Sequence, residues 1–362
     1  MGVGDGTVEV LDVSDAFWAG KSVFVTGHTG FKGGWLSLWL SELGAKVHGY
    51  SLAPPTTPSL FDVAGMADRI AGHTIGDVRD SAKLTAALVA ADCEIVFHLA
   101  AQPLVRLSYS EPIETFATNV MGTANLLEAV RSCPTVRAVV SVTTDKCYAN
   151  NEWLWAYREN EPLGGRDPYS ASKACAEIVT AAMRDSFLSA AGVRVASARA
   201  GNVIGGGDWA ADRLIPDFFR STDAGQALNV RYPGATRPWQ HVLEPVAGYL
   251  ALAKRLATDG DGIDTAWNFG PADEDARPVR WILDHLCAAT PGATWQAEEK
   301  IALHEAGYLK LDSSRARHIL GWHPRWNLAT ALEATVEWHR RWRDGEVMAE
   351  VCRDQITRYA AS

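Results

Sequence analysis

From Lys21 onward the chain alternates short apolar or β-branched runs with longer stretches of helical periodicity. Ser22–Thr26 (SVFVT), Lys46–Ser51, Glu94–Leu99 (EIVFHL), Arg137–Val142 (RAVVSV) and Arg194–Ala198 (RVASA) read as buried strands. Between them Trp35, Leu36, Trp39, Leu40 and Leu43 recur at helical spacing, as do Leu126, Leu127 and Val130. Strands alternating with helices predict an α/β fold, a doubly wound parallel sheet covered on both faces. Residues 1–17 lack periodicity and read as a leader, and 18–200 carry the predicted sheet. After about residue 200 loop-forming stretches (Gly205-Gly206-Gly207, Pro233–Pro238, Pro271–Pro278) separate shorter pieces rich in Trp and Arg. Residues 201–362 are therefore expected to form mainly a smaller, mixed domain over the carboxyl edge of the sheet, where ligands of open α/β sheets bind. Segments around 240–270 are expected to return to the first domain.

Composition narrows the class. The 362 residues include 34 Lys and Arg against 43 Asp and Glu, a net charge of −9. That acidic balance argues against a general nucleic-acid binder, which would show a basic face. Cys93, Cys133, Cys147, Cys175, Cys287 and Cys352 lie far apart with no C-x-x-C pair, so they read as reduced thiols of a cytoplasmic protein, not as disulfides or a metal site. No apolar run approaches the roughly 18 residues of a membrane span. The 14 Trp are a surplus, and Trp322, Trp326, Trp338 and Trp342 can be assigned only to packing.

Candidate chemistry begins where the first strand ends. Gly27-His28-Thr29-Gly30-Phe31-Lys32-Gly33 follows Ser22–Thr26 directly and opens the first helix. Glycines at that spacing let the backbone turn tightly and approach a dinucleotide pyrophosphate at the helix N-terminus, although a turn needed only for packing would look alike. The second strand ends at Tyr50-Ser51-Leu52, with neither the acid that often holds an NAD ribose nor a base for an extra phosphate. Asp77 and Val78 are candidates for an adenine contact, with helix capping the alternative for Asp77.

A second cluster lies between the fifth strand and the next helix. Tyr169 and Lys173 stand four apart, on one face of a helix. An ammonium near a phenol favours the phenolate and equips it to take a hydroxyl proton. A surface Tyr–Lys pair would have the same spacing. Thr144, Asp145 and Lys146 occupy the end of the fifth strand, where such sheets do chemistry; the alternative is a solvated turn.

Thr26–Gly33, His98-Leu99-Ala100-Ala101-Gln102, Asn119, and Tyr169 with Lys173 together resemble the extended short-chain dehydrogenase/reductases that act on nucleotide sugars. The resemblance runs from Trp18 over nearly all of the chain. Within that family, Thr144–Tyr148 (TDKCY), Pro54–Phe61 (PPTTPSLF) and Arg237–Pro245 (RPWQHVLEP) are similar to the CDP-glucose 4,6-dehydratase branch. The resemblance implies a Rossmann-type fold, a tightly bound NAD regenerated at each turnover, CDP-glucose as substrate, a homodimer and a place early in deoxysugar biosynthesis. It implies that Gly27, Thr29, Gly30, Phe31, Lys32, Gly33, Asp77, Val78, Leu99, Ala100, Ala101, Gln102 and Asn119 hold the cofactor, with Tyr169 and Lys173. Gln102, Thr144, Asn202, Arg213, Arg237 and His241 are implied on the substrate side, and no metal is implied. His98 reads as structural. Tyr169, helped by Lys173 and Thr144, would deprotonate the 4-hydroxyl, and Asp145 would protonate the departing 6-hydroxyl. Related dTDP-glucose dehydratases carry Glu where Lys146 stands. Lys146 is read as the C5 base, which requires a lowered pKa, with electrostatic stabilisation as the alternative.

Overall fold

The computed structural model describes residues 16–258, 262–298 and 308–362, so most of the expected leader lies outside the described residues. Six strands appear first: β1 (Ser22–Thr26), β2 (Lys46–Ser51), β3 (Gly72–Ile75), β4 (Ile95–His98), β5 (Ala138–Val142) and β6 (Arg194–Ala200). Then come β7 (Asn202–Ile204), β8 (Leu228–Val230), β9 (Thr236–His241), β10 (Ala266–Phe269), β11 (Ala276–Pro278) and β12 (Trp295–Ala297). The central parallel sheet has the order β10-β6-β5-β4-β1-β2-β3. Strand order reverses between β1 and β4, which pair in register from Val23 opposite Ile95 to Thr26 opposite His98. A crevice opens there at the carboxyl ends.

Two-residue alternation explains why these strands need no polar face. Val23 and Val25 point into one apolar layer and Phe24 into the other, and Ile95 and Phe97 are likewise split from Val96. The helix Gly122–Arg131 supplies Leu126, Leu127 and Val130 to the second layer. The helix Phe31–Glu42 supplies Trp35, Leu36, Trp39 and Leu40 to the first. β3, with the short sequence GHTI at the edge of the sheet, gives almost no pattern to read.

Beyond β6 the chain builds small sheets, β11-β9-β7 and β12-β8, over the carboxyl edge. They have their own core around Ile204, Phe218, Trp239, Ile282 and Leu332. Within 240–270, the helix Leu243–Thr258 packs on β5 and β6, and β10 pairs with β6, Trp267 opposite Ala198. The last helix, Met348–Ala360, lies against Phe31–Glu42: Tyr359 meets Trp39 edge-on at 5.7 Å, and Arg353 reaches Glu42 at 2.8 Å. Glu244 anchors this segment, accepting from the backbone N–H of Arg325 and Trp326 and from Tyr359 Oη. Trp322 donates to the Glu244 carbonyl, Trp326 packs on His241, Trp338 donates to Cys352 Sγ and Trp342 packs on Trp209. The six cysteines are free thiols, and no helix among the described residues is long and apolar enough to cross a membrane.

Candidate active site

A cleft of about 850 Å³ runs along the crevice and under the small sheets. At one end the glycine loop closes it. Gly27 has φ +80°, and a Cβ there would stand 2.7 Å from the backbone nitrogen of Ala100. A Cβ on Gly33 would lie 2.1 Å from the Gly27 carbonyl oxygen, so the third glycine lets the helix pack on the strand end. Thr29 Oγ1 ties the loop to the end of β2, donating to the Leu52 carbonyl at 2.9 Å. The helix that follows has no capping side chain and no acid in its first turn. An uncapped helix N-terminus in a cleft wall, approached by backbone alone, fits a dinucleotide pyrophosphate.

Along the same wall lie Asp77 and Val78 after β3 and Leu99, Ala100 and Ala101 after β4. Arg79 occupies the Asp77 carboxylate at 2.5 Å and holds its pKa below the ordinary range. Capping of the following helix falls to Asp80, which accepts from the Lys83 N–H. Arg79 also reaches Glu114, and the sequence reading missed it.

The chemistry-bearing side chains meet at the end of β5. Thr144 caps a short turn, Asp145–Cys147, and its hydroxyl donates to Asp145 Oδ1 at 2.9 Å. Asp145 is 1% exposed, and its Oδ2 has no hydrogen-bond partner. Tyr169 and Lys173 stand on the helix Pro168–Met183, whose start is capped by Asp167 accepting from the Ser170 N–H. Tyr169 is hydrogen-bonded to Thr144, and Lys173 Nζ donates to the Val142 carbonyl at 3.3 Å. Lys146 lines the cleft beside them.

The electrostatics differ from what the Tyr–Lys spacing alone implies. Burial pushes Tyr169 up to about 12, and the Thr144 hydrogen bond and Arg213 only partly offset it. Burial also lowers Lys173 to about 8, opposed by Glu177. Protein contacts by themselves therefore keep the phenol protonated. Glu177, one turn beyond Lys173, accepts from Thr143 Oγ1, from Ser197 Oγ at 2.6 Å and from Arg199 at 2.8 Å. Arg199 continues to Tyr148 Oη, which donates to Asn268 Oδ1. Burial works against the Glu177 charge, but Arg199 outweighs it and holds the carboxyl below its usual range. Neither Glu177 nor Arg199 was singled out from the sequence. The signal was there: an acid one turn beyond Lys173, and an arginine next to the apolar RVASA run.

Asn202, Arg213 and Arg237 also line the cleft, on the side of the small sheets. Arg213 is paired with Asp208 at 2.8 Å, and Arg237 donates to the Thr236 carbonyl. Across the mouth Arg106 meets Asp212 at 2.5 Å.

Three predicted residues take other places. His241 is a correction: β9 runs inward, so Arg237 and Trp239 line the cleft while His241, at its far end, is fully buried. Its ring lies 5.0 Å from Trp326 and 6.1 Å from Trp35, and burial lowers its pKa to about 3. Gln102 turns its side chain inward, bonded to Leu104 and Thr115. Asn119 pins the Gln102 backbone and Ser172 Oγ, behind the cleft wall. His98 bridges Thr26 and Thr123 as a neutral structural ring.

The whole chain has close relatives. It is 54% identical over 352 residues to a CDP-glucose 4,6-dehydratase of Salmonella typhimurium, covering 96% of this chain and 98% of that one. It is 32% identical to a dTDP-glucose 4,6-dehydratase of Streptomyces griseus over 68% of this chain and 73% of that one. In fold it resembles a dTDP-glucose 4,6-dehydratase of Bacillus anthracis solved with NAD, with a TM-score of 0.73, 20% identity, and coverage of 90% and 98%. Residues 23–270, from β1 through the strand that closes the far edge of the sheet, match one family throughout. With its glycine loop, its Tyr169–Lys173 pair and its crevice at the strand reversal, the chain belongs to the NAD dependent epimerase/dehydratase family.

Proposed function

We propose that this chain is a hydro-lyase that converts CDP-glucose to CDP-4-keto-6-deoxyglucose with bound NAD. The observation that carries the reading is the hydrogen-bonded run Tyr169–Thr144–Asp145, with Lys146 beside it, at the open end of β5. A 4-epimerase needs only hydride out and back, so an acid–base pair at that point favours dehydration. The cytidine and glucose assignments rest on the relative from Salmonella typhimurium.

The glycine loop Gly27–Gly33 and the Leu99–Ala101 turn would hold NAD, which would supply a hydride acceptor for C4 and a hydride donor for C6. Tyr169 takes the 4-hydroxyl proton as a phenolate, a form that the protein contacts alone disfavour and that the positive charge of a bound nicotinamide would favour, while Thr144 holds that oxygen. Lys173 supplies positive charge one turn away and positions the ribose. Once C4 is a ketone, the C5 proton is acidic, and Lys146 removes it. Asp145, which lines the cleft and whose Oδ2 has no hydrogen-bond partner, protonates the 6-hydroxyl as it leaves as water. Arg213 and Arg237 meet the substrate pyrophosphate. Residues 18–200 together with the 240–270 segment form the cofactor-binding unit, and the rest of 201–362 forms the nucleotide-sugar unit. Ile113, Met121, Ile178 and Phe187 are exposed on neighbouring helices and supply an apolar face for a homodimer. The free thiols accord with a cytoplasmic enzyme.

Turnover of CDP-glucose deuterated at C4 tests the proposal, run beside dTDP-glucose, UDP-glucose and GDP-mannose. Deuterium at C6 of a 4-keto product is the expected result. A C4 epimer, or no turnover of CDP-glucose, would overturn it.

A further inference from the structure

Lys32 sits where several effects oppose a positive charge. It belongs to the first turn of the helix Phe31–Glu42, the end that carries positive partial charge. Its ammonium lies in the cleft wall, where burial, Lys173 and Arg213 lower its pKa to about 7 and Asp145 pulls the other way. Its nearest anchor is neutral: Nζ donates to Tyr249 Oη at 3.3 Å and lies 5.6 Å from the centre of that ring. An apolar side chain would fill this place at less cost. Cations gathered in a desolvated cleft call for an anion between them.

The neighbours say which anion. The charges that act on Lys32 are Lys173 on the helix Pro168–Met183, Asp145 in the turn after β5, and Arg213 just before the helix Leu214–Asp223. Tyr249, from Leu243–Thr258, itself feels the Tyr169 charge. Lys32, which lines the cleft, therefore lies within reach of the charges at its reacting end.

We propose that Lys32 is a further catalytic residue, an ammonium that stabilises the negative charge forming on the substrate C4 oxygen when C5 loses its proton. The inference rests on the dehydration reading above. In the step, the C5–H bond breaks and the proton goes to the nitrogen lone pair of Lys146 Nζ. The electron pair forms a C4–C5 double bond, and the carbonyl π pair moves to the C4 oxygen. Lys32 donates a hydrogen bond to that oxygen and keeps its proton. When the pair returns, the C6–O bond breaks, and the hydroxyl leaves as water with the proton of Asp145.

Lys32→Met separates this step from the oxidation before it. CDP-6-deoxyglucose, which lacks the 6-hydroxyl, reports C4 oxidation through reduced-nicotinamide absorbance. Exchange of the C5 hydrogen of the 4-keto-6-deoxy product in D2O reports C5 deprotonation alone. Lys32→Met is expected to slow C5 exchange about 10²–10³-fold, at least about tenfold more than it slows oxidation. Wild-type exchange should fall as pH rises and Lys32 loses its proton, a limb that Lys32→Met lacks. Lys32→Arg, which keeps a charge, should recover part of the exchange. Equal losses in both steps with less NAD retained would overturn the proposal and make Lys32 a cofactor phosphate contact. Unchanged exchange would overturn it too. Failure of the wild-type chain to oxidise either CDP-sugar is a separate result, which removes the dehydration reading itself.

Discussion

Replacing Glu177 with Gln removes one charge from beneath the cleft while keeping side-chain size. Glu177 and Arg199 are 4% and 3% exposed and 2.8 Å apart, so the substitution leaves a buried guanidinium facing a neutral amide. Breaking a buried pair from one side costs about 3–5 kcal/mol. With an unfolding entropy of about 2.1 cal/mol/K per residue, a chain of this length unfolds with about 0.76 kcal/mol/K, so Tm should fall by about 4–7 °C. The second effect falls on Lys173. Side chains one helical turn apart are about 6 Å from each other, where a unit charge at an effective dielectric of about 20 is worth about 2.8 kcal/mol. In the wild type Arg199 cancels roughly half of this, but Arg199 remains in Glu177→Gln, so the substitution loses the whole of it, about two pKa units of support for the Lys173 ammonium. Lysine is charged below its pKa, so losing that support lets Lys173 discharge sooner as pH rises. The alkaline limb of kcat should therefore move down by about two pH units. Rates of 4-keto product formation between pH 6 and 10, together with thermal unfolding, measure both effects. Adding Arg199→Met should restore most of the stability, because a buried pair is replaced by apolar contact, without returning the limb to its wild-type position. A limb that stays in place or moves upward in Glu177→Gln would refute the coupling, even if stability falls as expected.

Tyr169→Phe should cut turnover by about 10²–10⁴-fold while the purified protein still carries NAD; loss of the cofactor would point to a binding role instead. Gly33→Ala forces a Cβ against backbone 2.1 Å away and should cost about 1–3 kcal/mol, with NAD retention falling in step. His241→Phe removes the acceptor for the Leu243 N–H and should cost about 1–3 kcal/mol without changing the KM for nucleotide sugar; a raised KM would return His241 to the substrate side. Burial lowers His28 to about 4 and His98 and His241 to about 3, so below about pH 6.5 the unfolded chain binds three protons that the folded chain refuses. Glu244, raised by burial to about 7, binds one in the folded state and offsets part of this. The net two protons of these four groups should cost about 2.7 kcal/mol per pH unit between about pH 6 and 5, with His48 and His339, also lowered by burial, acting in the same direction; urea midpoints that stay flat across that range would contradict it.

The parallel sheet was legible because its inner strands are buried on both faces and read as unbroken apolar runs. The same rule gives nothing for β3, whose four residues lie at an edge and alternate between half-buried and exposed. Loop and helix residues next to strand ends (Gly27, Gly33, Thr144, Asp145, Tyr169) could be read from spacing, since strand end, turn and helix fix their directions locally. Arg213 and Arg237 were found from motif alone. His241 was misplaced because the direction in which β9 runs depends on how the small sheets sit over the first layer, which no local pattern encodes. The protonation state of Tyr169 was misjudged for a related reason. Spacing gives the distance to Lys173, but burial, the larger effect, arises only when the cleft walls close.

The packing of the last helix on the first couples two parts of the chain that are far apart in sequence. Trp39 and Glu42, on the helix that presents the phosphate loop, meet Tyr359 and Arg353 from Met348–Ala360. A change in the last helix therefore bears on the helix at whose N-terminus a pyrophosphate would sit, although no residue of Met348–Ala360 lines the cleft.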